Sequence, residues 1–127
     1  MEPHGELTFH WVENILVVKA NGPFNDEGTR VAREAFQVNV LKGGFATWYR
    51  LELWDESVLG TPDAMAQLEG FYKWGVKQGC AATAIVIQNS LQANIIKTGL
   101  SDFADVFNSE VKAMEWLKNK AIQLFPS

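Results

Sequence analysis

Four carboxylates, Glu52, Asp55, Glu56 and Asp63, stand close together in the middle of the chain. Paired carboxylates run acid–base chemistry when their surroundings push their pKa values apart. Asp55, Glu56 and Asp63 read instead as loop and helix-start acids, which are ordinarily solvated or stabilised by the helix dipole. Glu52 stands out because strand positions disfavour it, but Arg50 lies two residues away on the same strand face, so an ion pair is the simpler account. The only side chains that titrate unaided near neutral pH are His4 and His10. Neither is spaced to a serine or cysteine nucleophile, and two histidines without acidic spacing make no metal site. Cys80 follows Gly79 and opens an apolar run, the setting of a small hydrophobe. As the sole cysteine it excludes a disulfide framework and any multi-cysteine metal centre. Gly43-Gly44 precedes a strand rather than a helix, the reverse of a phosphate loop. No cofactor and no metal are expected.

The stretch from Ala46 to Asp63 begins as a strand and ends as a helix start. Thr47, Tyr49, Leu51 and Leu53 make one face of that strand. Trp48, Arg50, Glu52 and Trp54 make the other, two aromatics bracketing opposite charges. A strand covered on both sides reads apolar throughout, so one face is expected in the core and the other partly open. His10 falls on the first strand, on the opposite side from Leu7 and Phe9, and is expected to join Trp48 and Trp54 on that open surface.

The remaining elements follow from periodicity and breakers. Leu7 to Trp11 alternates like a strand, Glu13-Asn14 interrupts, and Ile15 to Ala20 is a second strand, together a β-hairpin. Asn21-Gly22-Pro23 ends the pair. Asn25-Asp26-Glu27 opens a helix carrying Val31, Ala35, Val38 and Ala32, Phe36, Val40, and Lys42-Gly43-Gly44 closes it. Thr61-Pro62-Asp63 is the clearest helix start, with Thr61 as cap. Removing that hydroxyl is expected to cost about 1 kcal/mol. Ala64, Leu68, Phe71, Tyr72, Gly75 and Val76 trace the inward face, up to Gly79. Ala81 to Gln88 is apolar on both sides, a covered central strand. Asn89-Ser90 starts a third helix with Leu91, Ile95, Ile96 and Gly99 on one side. A strand over Phe103 to Phe107 and a last helix capped by Ser109, with Ala113, Trp116, Leu117 and Ala121 inward, complete the chain. The order β-β-α-β-α-β-α-β-α predicts an α/β fold. Its sheet is mixed but largely parallel, of about five strands, with an N-terminal hairpin and right-handed crossovers.

At 127 residues the chain is expected to be a single domain spanning 1–127. Fifteen acidic residues outnumber eleven basic ones, for a net charge of −4. Nucleic-acid binding needs clustered lysine and arginine, so neither nucleic acid nor an anionic membrane surface is an expected partner. No apolar run approaches the length of a membrane span. Met1-Glu2-Pro3-His4-Gly5 has neither the basic nor the apolar region of a secretory signal, and a cytoplasmic location is expected.

The C-terminal run Val106-Phe107-Asn108-Ser109-Glu110-Val111-Lys112-Ala113-Met114-Glu115-Trp116-Leu117 resembles the ending of the SpoIIAA-like bacterial proteins. Those close with an aromatic strand, an acidic helix start and an Ala-x-x-Trp-Leu helix. The element order resembles the same fold, shared with the STAS anti-sigma-factor antagonists, over nearly the whole chain. The resemblance implies about four helices mainly on one side of the sheet. It also implies a phosphoacceptor serine where a strand hands over to a helix, in an Asp-Ser motif. This chain has no Asp-Ser pair there. Thr61 lies closest to the equivalent place, with Ser57 a few residues earlier, and Asp55, Glu56 and Asp63 would repel a phosphate on either.

The expected function is a non-catalytic regulatory or protein-binding module, contacting a partner or a second copy through Trp48, Arg50, Glu52, Trp54 and His10. The alternative is a carrier or sensor of a small apolar ligand or lipid, since the fold is similar in outline to CRAL-TRIO domains. That alternative needs a pocket of at least ~300 Å3 between sheet and helices.

Overall fold

The computed structural model describes residues 2–59 and 62–124, and side chains over 2–59 and 66–122. The element order is β1 (Glu6–Val12), β2 (Ile15–Asn21), α1 (Asp26–Gly43), β3 (Trp48–Trp54), α2 (Pro62–Lys77), β4 (Cys80–Val86), α3 (Ser90–Gly99), β5 (Asp105–Phe107) and α4 (Glu110–Leu124). The expected α/β order is present throughout. The last strand is shorter than Phe103 to Phe107, because the amides of Phe103 and Ala104 both fold back onto the Leu100 carbonyl.

The five strands lie side by side in chain order. β1 and β2 are antiparallel, and β2 to β5 run parallel. The hairpin turns through Glu13, whose φ of 54° is unfavourable for a residue with a Cβ. Glu13→Gly should therefore raise stability by about 0.5 kcal/mol, seen as a higher urea midpoint at unchanged m-value.

Each parallel crossover advances one strand in the same direction, so a single crossover hand puts all its helices on one face. Ala32, Phe36 and Val40 of α1, Phe71 and Tyr72 of α2, and Ile96 of α3 pack there against Leu16, Val18, Ala20, Trp48, Trp54 and Ile85. α4, which follows the edge strand β5, packs on the other face. Its Ala113 and Leu117 seal Ile15, Val17, Tyr49, Leu51, Ala84 and Val86.

Helix ends follow their sequence cues. The Asn25 carboxamide accepts from the Gly28 amide, and Gly44 closes α1 at φ 68°. Asn89 caps α3 by accepting from the Gln92 amide, and the Ser109 hydroxyl accepts from the Lys112 amide. α2 begins at Pro62 as expected, while the cap expected of Thr61 lies outside the described residues.

The expectation of an open face on β3 is overturned. Trp48, Arg50, Glu52 and Trp54 are 1%, 2%, 4% and 3% exposed, beneath α1, α2 and α3. Alternation suggested openness because it counts charge as a solvent signal, whereas here opposite charges neutralise each other under the helices. His10 does not join them. Its β2 neighbour Val17 packs under α4, so His10 lies on the opposite sheet face, exposed. Val76 is also not inward but exposed, as are Val31 and Val38 on α1.

Candidate functional site

Arg50 and Glu52 sit between Leu16 and Val18 on β2 and Thr83 and Ile85 on β4, none of which carries a charge. Their charges are therefore left to each other and to the helices above. Arg50 Nε lies 2.7 Å from Glu52 Oε2, off the line of a hydrogen bond. Its guanidinium carbon stands 4.2 Å from the centroid of Phe36 and 4.5 Å from that of Tyr72. The cation is thus sandwiched between ring faces, a substitute for lost hydration. The Glu52 carboxylate takes the Tyr72 hydroxyl at 2.5 Å and the Trp54 indole N–H at 2.9 Å.

A narrow chamber of about 30 Å3 adjoins this group, walled by Leu7, Phe24, Leu59, Leu68 and Phe71, with Arg50 and Glu52 at its base. That is room for little more than a water molecule. It is an order of magnitude below what an apolar ligand or lipid needs.

Burial pushes the Tyr72 hydroxyl well above its ordinary value, and the Glu52 carboxylate adds to the shift. Burial likewise raises Cys80 and Tyr49. Protonated in the fold and ionised in the unfolded chain, these groups give the folded state more bound protons at high pH. Stability should therefore hold through neutral pH and fall above roughly pH 9, with Tyr72→Phe flattening the fall above roughly pH 10. Urea titrations at stepped alkaline pH measure it.

Directly above the charged pair, at the carboxyl ends of β2, β3 and β4, three loops are tied together. Asp55 Oδ1 accepts the amides of Ser57 at 3.0 Å and Gly22 at 3.3 Å. Ser57 Oγ lies 2.6 Å from the Gly22 carbonyl and 2.8 Å from Asp55 Oδ1, both acceptors that share its one proton. The Phe24 amide donates to the Leu59 carbonyl at 2.8 Å. Gly22 is obligatory here: a Cβ would come within 2.6 Å of the Ser57 carbonyl oxygen and the Val58 Cα. Gln92 of α3, fully buried, donates to the carbonyls of Asp55 at 2.7 Å and Val58 at 3.3 Å and accepts from the Gln88 amide at 2.8 Å.

The sequence candidates thus separate. Arg50, Glu52, Trp48 and Trp54 are interior. Asp55 and Ser57 form the strap, and Glu56 is exposed beside them. The Asp63 side chain and Thr61, one of the two phosphoacceptor candidates, lie outside the described residues. His4 is held at the start of α1, its amide donating to Asn25 Oδ1, far in the fold from His10 on the outer face of β1. Cys80 Sγ sits 3.6 Å from both the Ala82 carbonyl and Thr83 Oγ1. Among the described residues no three metal-ligating side chains come together, and no helix is long and apolar enough to cross a membrane.

Three participants were not marked as polar partners by the sequence: Tyr72, Phe36 and Gln92. Tyr72 and Phe36 read only as core residues. Gln92 follows the α3 cap by three residues, the spacing of a capping glutamine, which could have drawn attention to it.

No family model matches the chain, and no curated protein is similar to it in sequence. Solved structures are similar to it in fold. An uncharacterised protein of the DUF3478 family with a SpoIIAA-like fold, from Shewanella loihica PV-4, is 18% identical with a TM-score of 0.62, over 92% of this chain and 96% of that one. An anti-sigma factor antagonist from Mycobacterium paratuberculosis is 14% identical with a TM-score of 0.66, over 90% and 94%. The Bacillus cell fate determinant SpoIIAA in its phosphorylated form is 11% identical with a TM-score of 0.57, over 87% and 98%. The buried β3 pair and the strapped loops above it are therefore carried on a SpoIIAA-like fold.

Proposed function

We propose that this chain is a non-catalytic regulatory module that binds a protein partner through the loop surface at the carboxyl ends of β2 and β3. The observation that carries this reading is the strap of Asp55, Ser57 and Gly22, braced from beneath by Gln92. Hydrogen bonds to the Gly22, Asp55 and Val58 carbonyls preset these loops, so a partner meets a surface whose ordering cost is already met. The fold neighbours support it: one is an anti-sigma factor antagonist, and SpoIIAA was seen phosphorylated. The aromatic residues of β3 act in this reading as the rigid floor and not as the contact.

Regulation by phosphate belongs to the same reading. A phosphoryl group on Ser57 cannot keep the bond to the Gly22 carbonyl, and it would stand against Asp55 and Glu56, so it opens the strap. Ser57→Ala should cost about 1 kcal/mol of stability, and Ser57→Asp more, because it adds a carboxylate beside Asp55.

A photocrosslinking residue placed at Glu56 tests the surface in living cells, with the same residue at Lys118 on α4 as control. A single discrete adduct at Glu56, absent at Lys118 and lost with Ser57→Asp, is the expected result. Equal labelling at both positions, or none at Glu56, contradicts the proposal.

A further inference from the structure

We infer that the free edge of β1, with the outer row of α1 beside it, is the interface of a symmetric dimer of this chain. β1 is seven residues long and, among the described residues, pairs only with β2, in an unbroken register. The opposite edge, β5, is three residues long, and short edges are one way sheets avoid further pairing. β1 has few of the usual guards: no lysine, no proline and no bulge, and a single carboxylate, Glu6, at its start. The residues before it do not shield it either. The His4 amide and the Glu2 carbonyl are both held by the Asn25 side chain, at the N-terminus of α1.

α1 lies along β1. Gly28 abuts His4, Gly43 abuts Trp11, and the Asn39 carbonyl accepts from the Trp11 indole at 3.1 Å. Val31, Ala35 and Val38, at i, i+4 and i+7, form the next row outward from these contacts. Val31 and Val38 are 43% and 50% exposed, and Val12 at the end of β1 and Phe45 between α1 and β3 are each 39% exposed. The Phe45 ring rests on Trp11 at 4.9 Å. An unpaired strand edge and an apolar helix row therefore run side by side.

A second copy fits both at once. A two-fold axis at Phe9 pairs β1 with its copy antiparallel, setting Glu6 opposite Val12, Leu7 opposite Trp11 and Thr8 opposite His10. No like charges face each other, and each strand's outward N–H groups meet the other's carbonyls. The same axis carries the two α1 rows towards each other on one face of a continuous sheet. Such a contact is isologous and closes on itself. A foreign strand would satisfy the backbone alone and leave the α1 row bare.

Sedimentation of the full chain tests this, with dissociation constants expected in the micromolar range because the contact is small. Wild type should reach twice the chain mass of 14.2 kDa. Thr8→Lys with Val38→Lys, both at exposed positions, should weaken association at least ~100-fold by placing lysines in the edge and the row. Far-UV circular dichroism should stay unchanged. Val31→Lys, which leaves β1 untouched, should weaken association in the same direction. Val111→Lys on α4 should have no effect. A wild-type chain that stays monomeric at millimolar concentration overturns the inference. So does a dimer indifferent to the β1 and α1 lysines, or one equally weakened by Val111→Lys.

Discussion

Arg50→Met should destabilise the fold by about 3–5 kcal/mol, a large part of the ~5–15 kcal/mol that holds a domain of this size together. The loss is not that of one contact. Glu52 would remain 4% exposed, with a full charge and only the Tyr72 hydroxyl and Trp54 indole to answer it. Adding Glu52→Gln removes the stranded charge while leaving an acceptor for those two donors. Arg50→Met/Glu52→Gln should therefore be more stable than Arg50→Met alone, with a coupling of about 2 kcal/mol. Urea unfolding of the four proteins of this cycle measures it. Additive losses would mean that the two charges do not depend on each other.

Trp48→Ala should cost about 3–5 kcal/mol without altering the mass of the particle in solution. The indole packs 5.8 Å from the Trp11 ring and 6.2 Å from Phe36, and its N–H donates to the Gln78 carbonyl at 3.0 Å. Removing it opens a cavity in the cluster that joins β1, α1 and α2. Trp54→Ala should cost a similar amount, because it also takes a donor from Glu52. Had these been surface residues, each change would fall within ~0.5 kcal/mol. Thermal or chemical denaturation separates the two outcomes at once.

The fold was legible because its elements announce themselves locally. Asn25, Gly44 and Asn89 bound their helices as their side-chain and backbone chemistry dictates. The alternation in β1 correctly places Leu7, Phe9 and Trp11 inward. β3 was misread for a physical reason. Alternation reports polarity, and polarity reports exposure only when a charge has no buried partner. Arg50 and Glu52 are partners two residues apart, and the rings that complete their shell come from Phe36 and Tyr72, distant in sequence. Nothing in the spacing within β3 shows that α1 and α2 will close over it. The single crossover hand does, once the strands are known to lie in chain order. The strap was equally hidden. Asp55 and Ser57 were visible as loop residues, but their partners are a backbone carbonyl at Gly22 and an amide side chain on α3.

β3 forms a sealed floor beneath the loops at the carboxyl ends of β2 and β3. Hydroxyl-radical footprinting of the free protein, read by mass spectrometry at each tryptophan, tests that most directly. Trp48 and Trp54 should oxidise far more slowly than the half-buried Trp11, Trp74 and Trp116. Oxidation of Trp48 and Trp54 as fast as these three would mean the face is open in solution, and would return the partner contact from the loops to the strand.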